Sequence, residues 1–280
     1  MGKLMVVDGS NLLFQMFYGM PARIVNHEGK AIQGTLGFVG ALLKMIRMVG
    51  PTHVAVLFDG ETTNERRELD PDYKANRPDY SDVPEEDTPF SQLPDIFRAL
   101  DQLGIRHCET ADCEADDWIA GYAAMGGEGL SVVIASQDSD FFQLIGEQVS
   151  VLRYRGDKSV LCDPAWIREK LGIQPGQYAA YKALTGDTAD NIRGVDKVGP
   201  KTAAALMGQF GDLDTLLQRA EEISKPSVRK SIQDSGNRIR TNYRLIKLSS
   251  NHPLPFALDE LLWQDEGKTT TEILKAIGLR

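Results

Sequence analysis

The stretch Lys3-Leu4-Met5-Val6-Val7-Asp8-Gly9-Ser10-Asn11 decides the fold. Its unbroken apolar run predicts a strand buried on both faces, and the polar turn from Asp8 to Asn11 hands the chain to a short helix with apolar spacing over 12–17. The same order recurs downstream. A helical pattern over 34–49 stops at Gly50-Pro51, and a second buried strand, 53–58, ends at Asp59. Helical spacing over 92–103 and 114–125 encloses a short strand at 105–108, and a third apolar strand, 131–135, leads into a predicted helix over 138–145. Alternating strands and helices imply an α/β fold with a mainly parallel sheet, whose ligands sit at the carboxyl ends of the strands. Past residue 149 the pattern changes: 149–154 and 159–162 pair as a hairpin, and from 164 to about 247 helix follows helix between Gly and Pro turns. The expected division is an α/β domain, 1–162, and a helical region, 163–280.

With 42% hydrophobic and 25% charged residues the chain is neither disordered nor a coiled coil, and 280 residues suffice for one large core plus a helical subdomain. No apolar run approaches the roughly 20 residues of a membrane span, and the N-terminus does not read as a signal segment. Cys108, Cys113 and Cys162 form no CxxC pair, which argues against a disulfide framework or a thiolate zinc site and predicts a reducing, cytoplasmic setting. No membrane partner is expected, and the chain is expected to be a monomer. A net charge of −9 argues against a nucleic-acid partner until its distribution is seen. Residues 193–250 carry 11 basic against 6 acidic side chains, so a basic C-terminal stretch is joined to an acidic body. Such a chain can hold phosphates in one place and divalent cations in another.

Asp8 and Asp59 each follow an apolar strand directly, and Asp138 follows the third strand closely. Any one of them alone reads equally well as a helix N-cap. Three strand ends aimed at one edge are harder to explain that way. Glu114-Ala115-Asp116-Asp117 opens a helix, where acids also complement the macrodipole, and Asp138-Ser139-Asp140 repeats the arrangement. Asp187 and Asp190, spaced i and i+3, are expected on one face of a helical turn. So many carboxylates on one edge repel each other, and bound cations offset this without protonating several of them. All-oxygen donors favour Mg²⁺ or Mn²⁺ over zinc, while His27, His53, His107 and His252 stand at no ligand spacing. Two such ions suit in-line phosphoryl displacement, one activating the attacking water and one stabilising the leaving oxygen, so phosphodiester hydrolysis is the expected reaction. No Ser or Cys is paired with a His or Lys base in any motif.

The string Gly186-Asp187-Thr188-Ala189-Asp190-Asn191-Ile192-Arg193-Gly194-Val195-Asp196-Lys197-Val198-Gly199-Pro200-Lys201-Thr202-Ala203 is the most specific in the chain. Two glycines bracket a tight connection, Pro200 suits the first turn of the next helix, and Lys201 and Thr202 sit where backbone N–H groups are free. A hairpin of this kind offers amides to a phosphate, with Lys197 and Lys201 adding charge but reading no base. Between Asp59 and Gln92 apolar periodicity is weak, yet Arg66, Arg67, Tyr73, Lys74 and Arg77 cluster there. This segment reads as an insertion over the cleft, its cations clamping the scissile phosphate and Tyr73 stacking on an unpaired base. A mobile surface loop is the plainer alternative, favoured by Asp79, Asp82, Glu85, Glu86 and Asp87.

Val7-Asp8-Gly9, Phe58-Asp59, Tyr73-Lys74-Ala75-Asn76-Arg77, Glu114-Ala115-Asp116-Asp117, Asp138-Ser139-Asp140 and the 186–203 string together resemble the 5′-nuclease superfamily. That superfamily comprises flap endonucleases and the 5′–3′ exonuclease domains of bacterial and phage replication proteins, and the resemblance covers nearly the whole chain. It implies a PIN-like sheet with flanking helices, a helical arch over about 60–92, and a helix-hairpin-helix element over about 186–210 that grips duplex DNA. By this resemblance Asp8, Asp59, Glu114, Asp116 and Asp117 surround a first metal ion. Asp138 lies between two ions, and Asp140, Asp187 and Asp190 hold the second. Lys74 and Arg77 resemble the arch's phosphate-activating cations, with Tyr73 packed at its base, and join Asp116 and Asp138 as the expected catalytic set. Arg66, Tyr73, Lys74, Arg77, Lys197, Gly199, Lys201 and Thr202 are expected to touch DNA. Backbone carbonyls of Gly194, Val195 and Val198 are expected to hold a potassium ion.

The implied activity is metal-dependent 5′–3′ exonuclease or flap-endonuclease cleavage near the 5′ end of branched, nicked or gapped DNA. A DNA-structure binding protein with vestigial chemistry and a PIN-type ribonuclease are the alternatives. Two positions depart from the family. Gln15 stands where an Arg beside the cleaved phosphate is frequent, and Glu65 where Phe is common. Loss of one buried phosphate contact predicts a rate lower by about ten- to a hundredfold. The chain ends at Arg280 without room for a polymerase domain, so a stand-alone exonuclease is expected.

Overall fold

The computed structural model describes residues 2–60 and 65–279. Its central strand, β1 (Gly2–Asp8), pairs in parallel with β2 (His53–Phe58) on one side and β4 (Leu130–Ala135) on the other. Outside β2 lies β3 (Arg106–Glu109), and outside β4 lies β5 (Val149–Arg153). An antiparallel β6 (Val160–Cys162) closes the order β3-β2-β1-β4-β5-β6. Both faces of the central strands β1, β2 and β4 are covered, which is why these three are largely apolar, while the edge strand β3 is polar and largely unburied. Leu4, Val6, Ala55 and Leu57 join one core, while the alternating Met5, Val7, Val54, Val56 and Phe58 join the other.

The second of these cores is filled by α1 (Gly9–Gly19) and α2 (Gln33–Val49), the latter stopped by Gly50 in the left-handed region at φ +60°. The insertion then holds one short helix, α3 (Glu65–Leu69), a run of turns, and two 3₁₀ turns at Glu85–Asp87 and Pro89–Gln92. Among the described residues the expected arch is therefore helical only at its start. Pro71, Pro78, Pro84 and Pro89 deny it longer helices. Positions 61–64 of the insertion and the side chain of Glu65 lie outside the described residues. The far end is docked on α1 rather than loose: Phe14, Tyr80 and Phe90 pack edge to face, and the Tyr18 and Tyr80 hydroxyls are 2.8 Å apart.

From there α4 (Leu93–Gln102) returns to the second core, and α5 (Ala115–Ala123) covers the first. In place of the helix expected over 138–145 there is a 3₁₀ segment, Asp140–Leu144. The Asp138 carboxylate accepts the Asp140 N–H at 2.8 Å and the Ser139 carbonyl accepts the Phe142 N–H at 3.0 Å, which tightens the turn. The helical region follows as α6 (Pro164–Leu171), α7 (Tyr178–Thr185), α8 (Pro200–Phe210), α9 (Leu213–Gln218), α10 (Pro226–Asp234) and α11 (Gly236–Ile246). A last helix, α12 (Thr270–Ala276), returns to pack Ile273 and Leu274 into the second core. No helix among the described residues is long and apolar enough to cross a membrane.

Candidate metal and phosphate site

Three parallel strands end at one edge, and local hydrogen bonds fix the acid at each. Asp8 caps α1 by accepting the Asn11 N–H at 3.0 Å, and its other oxygen accepts the Ser136 hydroxyl at 2.7 Å. Ser136 in turn accepts the Asp138 N–H at 2.9 Å, tying the ends of β1 and β4 together. Asp59 accepts the Ala115 N–H at 3.0 Å, so the start of α5 lies against the end of β2. Gly9 lets α1 press onto that same end, since a Cβ there would fall 2.6 Å from the Phe58 ring.

The consequence is a shared field. Burial, then the Asp59 carboxylate, pushes Asp8 from its ordinary 3.8 up to about 7. Burial, then Asp138, Asp59 and Asp8, pushes Asp116 well above the usual carboxylate range. Oxygen donors that resist ionising in each other's presence suit a hard dication, whose charge reverses the penalty.

A second group lies beside the first. Asp140, Asp187 and Asp190 each place a carboxylate oxygen within 4.8 Å of the others. Asp187 and Asp190 do not share a helical turn as expected. Asp187 ends β7 (Gly186–Asp187) and Asp190 lies in the turn that leads to β8 (Ile192–Arg193), its antiparallel partner. Gly186 at φ +80° and Asn191 at φ +58° select this hairpin, and a Cβ on Gly186 would sit 2.4 Å from the Gly194 nitrogen. Lys182, buried on α7, places its ammonium against Asp140 and 2.5 Å from Asp187. Burial pushes Asp140 up to about 7 despite that pull. Burial also opposes the charge on Asp187, but Lys182 and backbone N–H groups hold its carboxyl below the usual range.

The remaining two acids of the expected ligand set face basic partners. Glu114, preceding α5, takes the Lys74 ammonium at 2.7 Å and the Arg66 guanidinium. Asp117 accepts Arg66 at 2.8 Å and the Ser249 N–H at 2.9 Å, and as the next residue on α5 it leaves the helix in a different direction from Asp116. Beside this pair opens a cleft of about 510 Å³, lined by Cys113, Arg244, Lys247 and His252 among others.

The segment from Asp72 to Arg77 is laced onto the β7–β8 hairpin. Lys74 N–H donates to the Asp190 carbonyl at 3.0 Å, Asn76 to the Thr188 carbonyl at 2.8 Å, and Asn191 to the Asp72 carbonyl at 2.9 Å. Arg77, half exposed, pairs with Asp190 at 2.9 Å. The base-stacking role expected of Tyr73 does not fit this geometry. Its ring is 4% exposed and packs with Ala179, Ala183, Ile192, Leu245 and Ile246, because α7 and α11 build a pocket for it. It supports Lys74, whose ammonium lies 4.9 Å from the ring centroid. Gln15 is also occupied, donating to the Tyr154 carbonyl at 2.9 Å.

In the second half of the 186–203 string, Gly199 precedes α8, Pro200 opens it, and Lys197, at φ +68°, and Lys201 are exposed while Thr202 is half-buried. Val195 and Val198 are buried, with the Val195 carbonyl accepting the Val198 N–H at 3.1 Å, and Asn242 holds the Arg193 carbonyl at 2.9 Å. Sequence reasoning missed Lys182, Ser136, Asn242 and Ser249. Only Lys182 leaves a signal, as a lone cation inside the otherwise uncharged run Tyr178-Ala179-Ala180-Tyr181-Lys182-Ala183-Leu184.

Residues 3–172 match the family described as 5′-3′ exonuclease, N-terminal resolvase-like domain, and residues 173–269 match the 5′-3′ exonuclease C-terminal SAM fold. DNA polymerase I of Rhizobium leguminosarum is 36% identical over 272 residues, covering 94% of this chain and 26% of that protein. The thermostable DNA polymerase I of Thermus aquaticus is 34% identical over 255 residues, covering 90% of this chain and 29% of its own length. The chain thus spans 26% to 29% of these relatives. Among solved structures, the 5′-exonuclease of bacteriophage T5 with bound zinc superposes with a TM-score of 0.69 at 23% identity, covering 87% of this chain and 89% of that one. A T5 flap endonuclease in a pseudo-enzyme-product complex with DNA and metal ions gives 0.71 at 22% identity, covering 98% and 99%. The catalytic core of Rad2 with DNA substrate gives 0.60 at 18%, covering 99% and 93%. These likenesses establish a shared fold, and the two sequence matches, contiguous and in order, establish descent: the chain belongs to the 5′–3′ exonuclease family.

Proposed function

We propose that this chain is a metal-dependent 5′ nuclease that hydrolyses phosphodiesters near the 5′ end of flapped, nicked or gapped DNA, with Mg²⁺ or Mn²⁺ as its ions. The observation that carries the reading is the convergence of Asp8, Asp59, Asp116 and Asp138 in one field that raises the Asp8 and Asp116 pKa values. Asp8, Asp59, Asp116 and Asp138 would hold one ion, and Asp138 with Asp140, Asp187 and Asp190 the other. When bound, such ions lower the pKa of the attacking water and stabilise the leaving oxygen.

The chain's own residues do the rest. Hydrolysis adds water across a P–O bond, leaving a phosphate monoester and a hydroxyl. Lys74 and Arg77, tethered to Glu114 and Asp190, hold positive charge beside the place where a scissile phosphate would meet the acids. The free thiols of Cys108, Cys113 and Cys162 suit a reducing compartment such as the cytoplasm. The Val195–Val198 turn, with Gly194, offers carbonyls for a potassium ion in the same hairpin that would grip the duplex.

A cleavage assay on a 5′-flap duplex, with metal titration and a matched RNA flap, tests the reading. Short 5′ products that need Mg²⁺ or Mn²⁺ and vanish in EDTA are expected. Flap binding without turnover would favour a binding protein, and equal cleavage of the RNA flap a ribonuclease. Replacing Lys197 and Lys201 together by Ala is expected to weaken duplex binding. It should flatten the plot of log affinity against log salt by up to about two phosphate contacts, with sequence preference unchanged. An unchanged salt slope would show that these exposed lysines do not touch the backbone.

A further inference from the structure

Resting on that reading, we infer that Lys182 is a built-in counter-ion of the second acid group, and that a second dication binds there by displacing its ammonium. Lys182 is 7% exposed, and its Nζ touches Asp140 and lies 2.5 Å from Asp187. The oxygens that Asp140, Asp187 and Asp190 bring within 4.8 Å of each other are close enough to share one ion's coordination shell. An ammonium and a dication compete for the same oxygens, because each needs them at contact distance and each repels the other. From the solvent side Arg77 adds a second cation, pairing with Asp190 at 2.9 Å.

The first group is different. None of Asp8, Asp59, Asp116 and Asp138 forms an ion pair among the described residues, whose pairs near the site run instead to Glu114, Asp117, Asp140, Asp187 and Asp190. Two neighbouring acid groups of one chain therefore meet a metal from opposite starting points. One has no ammonium or guanidinium in contact among the described residues, only Lys74 acting on Asp116 from a distance, and takes an ion readily. The other is already partly neutralised from within, holds the β7–β8 hairpin to the Asp140 turn without metal, and gives up its oxygens only to an ion that outcompetes a buried ion pair. Lys182 is thus a positioning residue that sets the order and affinity of metal loading.

The test is a Mn²⁺ titration of the DNA-free protein, reading unbound Mn²⁺ by its electron paramagnetic resonance signal. Wild type is expected to bind one ion tightly and a second at least about tenfold more weakly. In Lys182→Met the second site should tighten by about tenfold or more with the first unchanged, while Lys182→Arg keeps the weak second site. A second-site affinity in Lys182→Met equal to or below that of wild type overturns the inference alone. Failure of wild type to bind any Mn²⁺ overturns both the inference and the metal-dependent reading beneath it. Should Lys182→Met not fold, wild type still answers through reductive methylation mapped by mass spectrometry. Lys182 should react slowly without metal and several-fold faster at saturating Mn²⁺, and a rate indifferent to Mn²⁺ would overturn displacement.

Discussion

Asp116→Asn is expected to abolish cleavage while raising the stability of the metal-free protein. Both effects come from one cause. The Asp116 carboxylate sits on α5 in the combined field of Asp138, Asp59 and Asp8, and burial and repulsion resist its ionisation. An amide of the same shape removes that repulsion, which should raise the melting temperature by about 2 to 4 °C for each kcal/mol relieved. The same exchange removes an anionic oxygen donor that a dication needs, and a loss of about 4 kcal/mol of transition-state stabilisation is roughly a thousandfold in rate. Binding to a flap should be kept, because one negative charge fewer faces the phosphates. Cleavage assays, flap-binding titrations and thermal melts on one preparation check all three. Full activity of the variant would contradict the role, and a fall in melting temperature would contradict the electrostatic argument.

The metal-free wild type should lose stability as pH rises from about 4 to about 7, and added Mg²⁺ or Mn²⁺ should restore it. For a carboxyl whose folded pKa is raised the sign is unusual. Asp8 has an ordinary value of 3.8 and a folded value of about 7. Below the ordinary value it is protonated folded or unfolded and costs nothing. As pH climbs between the two values the unfolded chain ionises first, so a penalty accumulates and then levels off. Asp116 acts in the same direction. Asp187, by contrast, is depressed by Lys182 acting against burial, and the exposed Asp212 and Glu222 by hydrogen bonds. Their contribution is present above their ordinary values and lost only in stronger acid, at the foot of this window or below it. A dication at a hundred times its dissociation constant adds about 2.7 kcal/mol, and more of it is realised at high pH because protons no longer compete. Melts in EDTA and in metal across this range are the measurement. The slope in EDTA should flatten in Asp8→Asn and Asp116→Asn, and a flat wild-type profile would contradict the shared field.

The parts of this site legible in the sequence are those set by local rules. An unbroken, partly β-branched apolar run such as 4–7, closed by a polar turn, reads as a strand covered on both faces, and the acid after it then stands at the sheet's carboxyl edge. Asp8 and Asp59 stand there directly, and Asp138 follows its strand after two intervening residues. Lys182 is not legible in this way, because its partner Asp140 lies 42 residues away and a single lysine on a helix carries no trace of where its ammonium ends. Tyr73 misleads for a similar reason. In a polar, proline-interrupted segment an aromatic ring reads as exposed, yet its pocket is supplied by Ala179, Ala183, Leu245 and Ile246 from helices far along the chain. Asp187 and Asp190 keep their neighbourhood but not their local structure, since i, i+3 spacing fits both a helical turn and a tight bend between two strands. The left-handed Gly186 and Asn191 decide for the bend.

Crystals of the wild-type protein soaked in Mn²⁺ and measured at the manganese absorption edge test the central claim most directly. The account predicts an anomalous peak among the carboxylates of Asp8, Asp59, Asp116 and Asp138. No peak there, with those side chains turned apart, would contradict it.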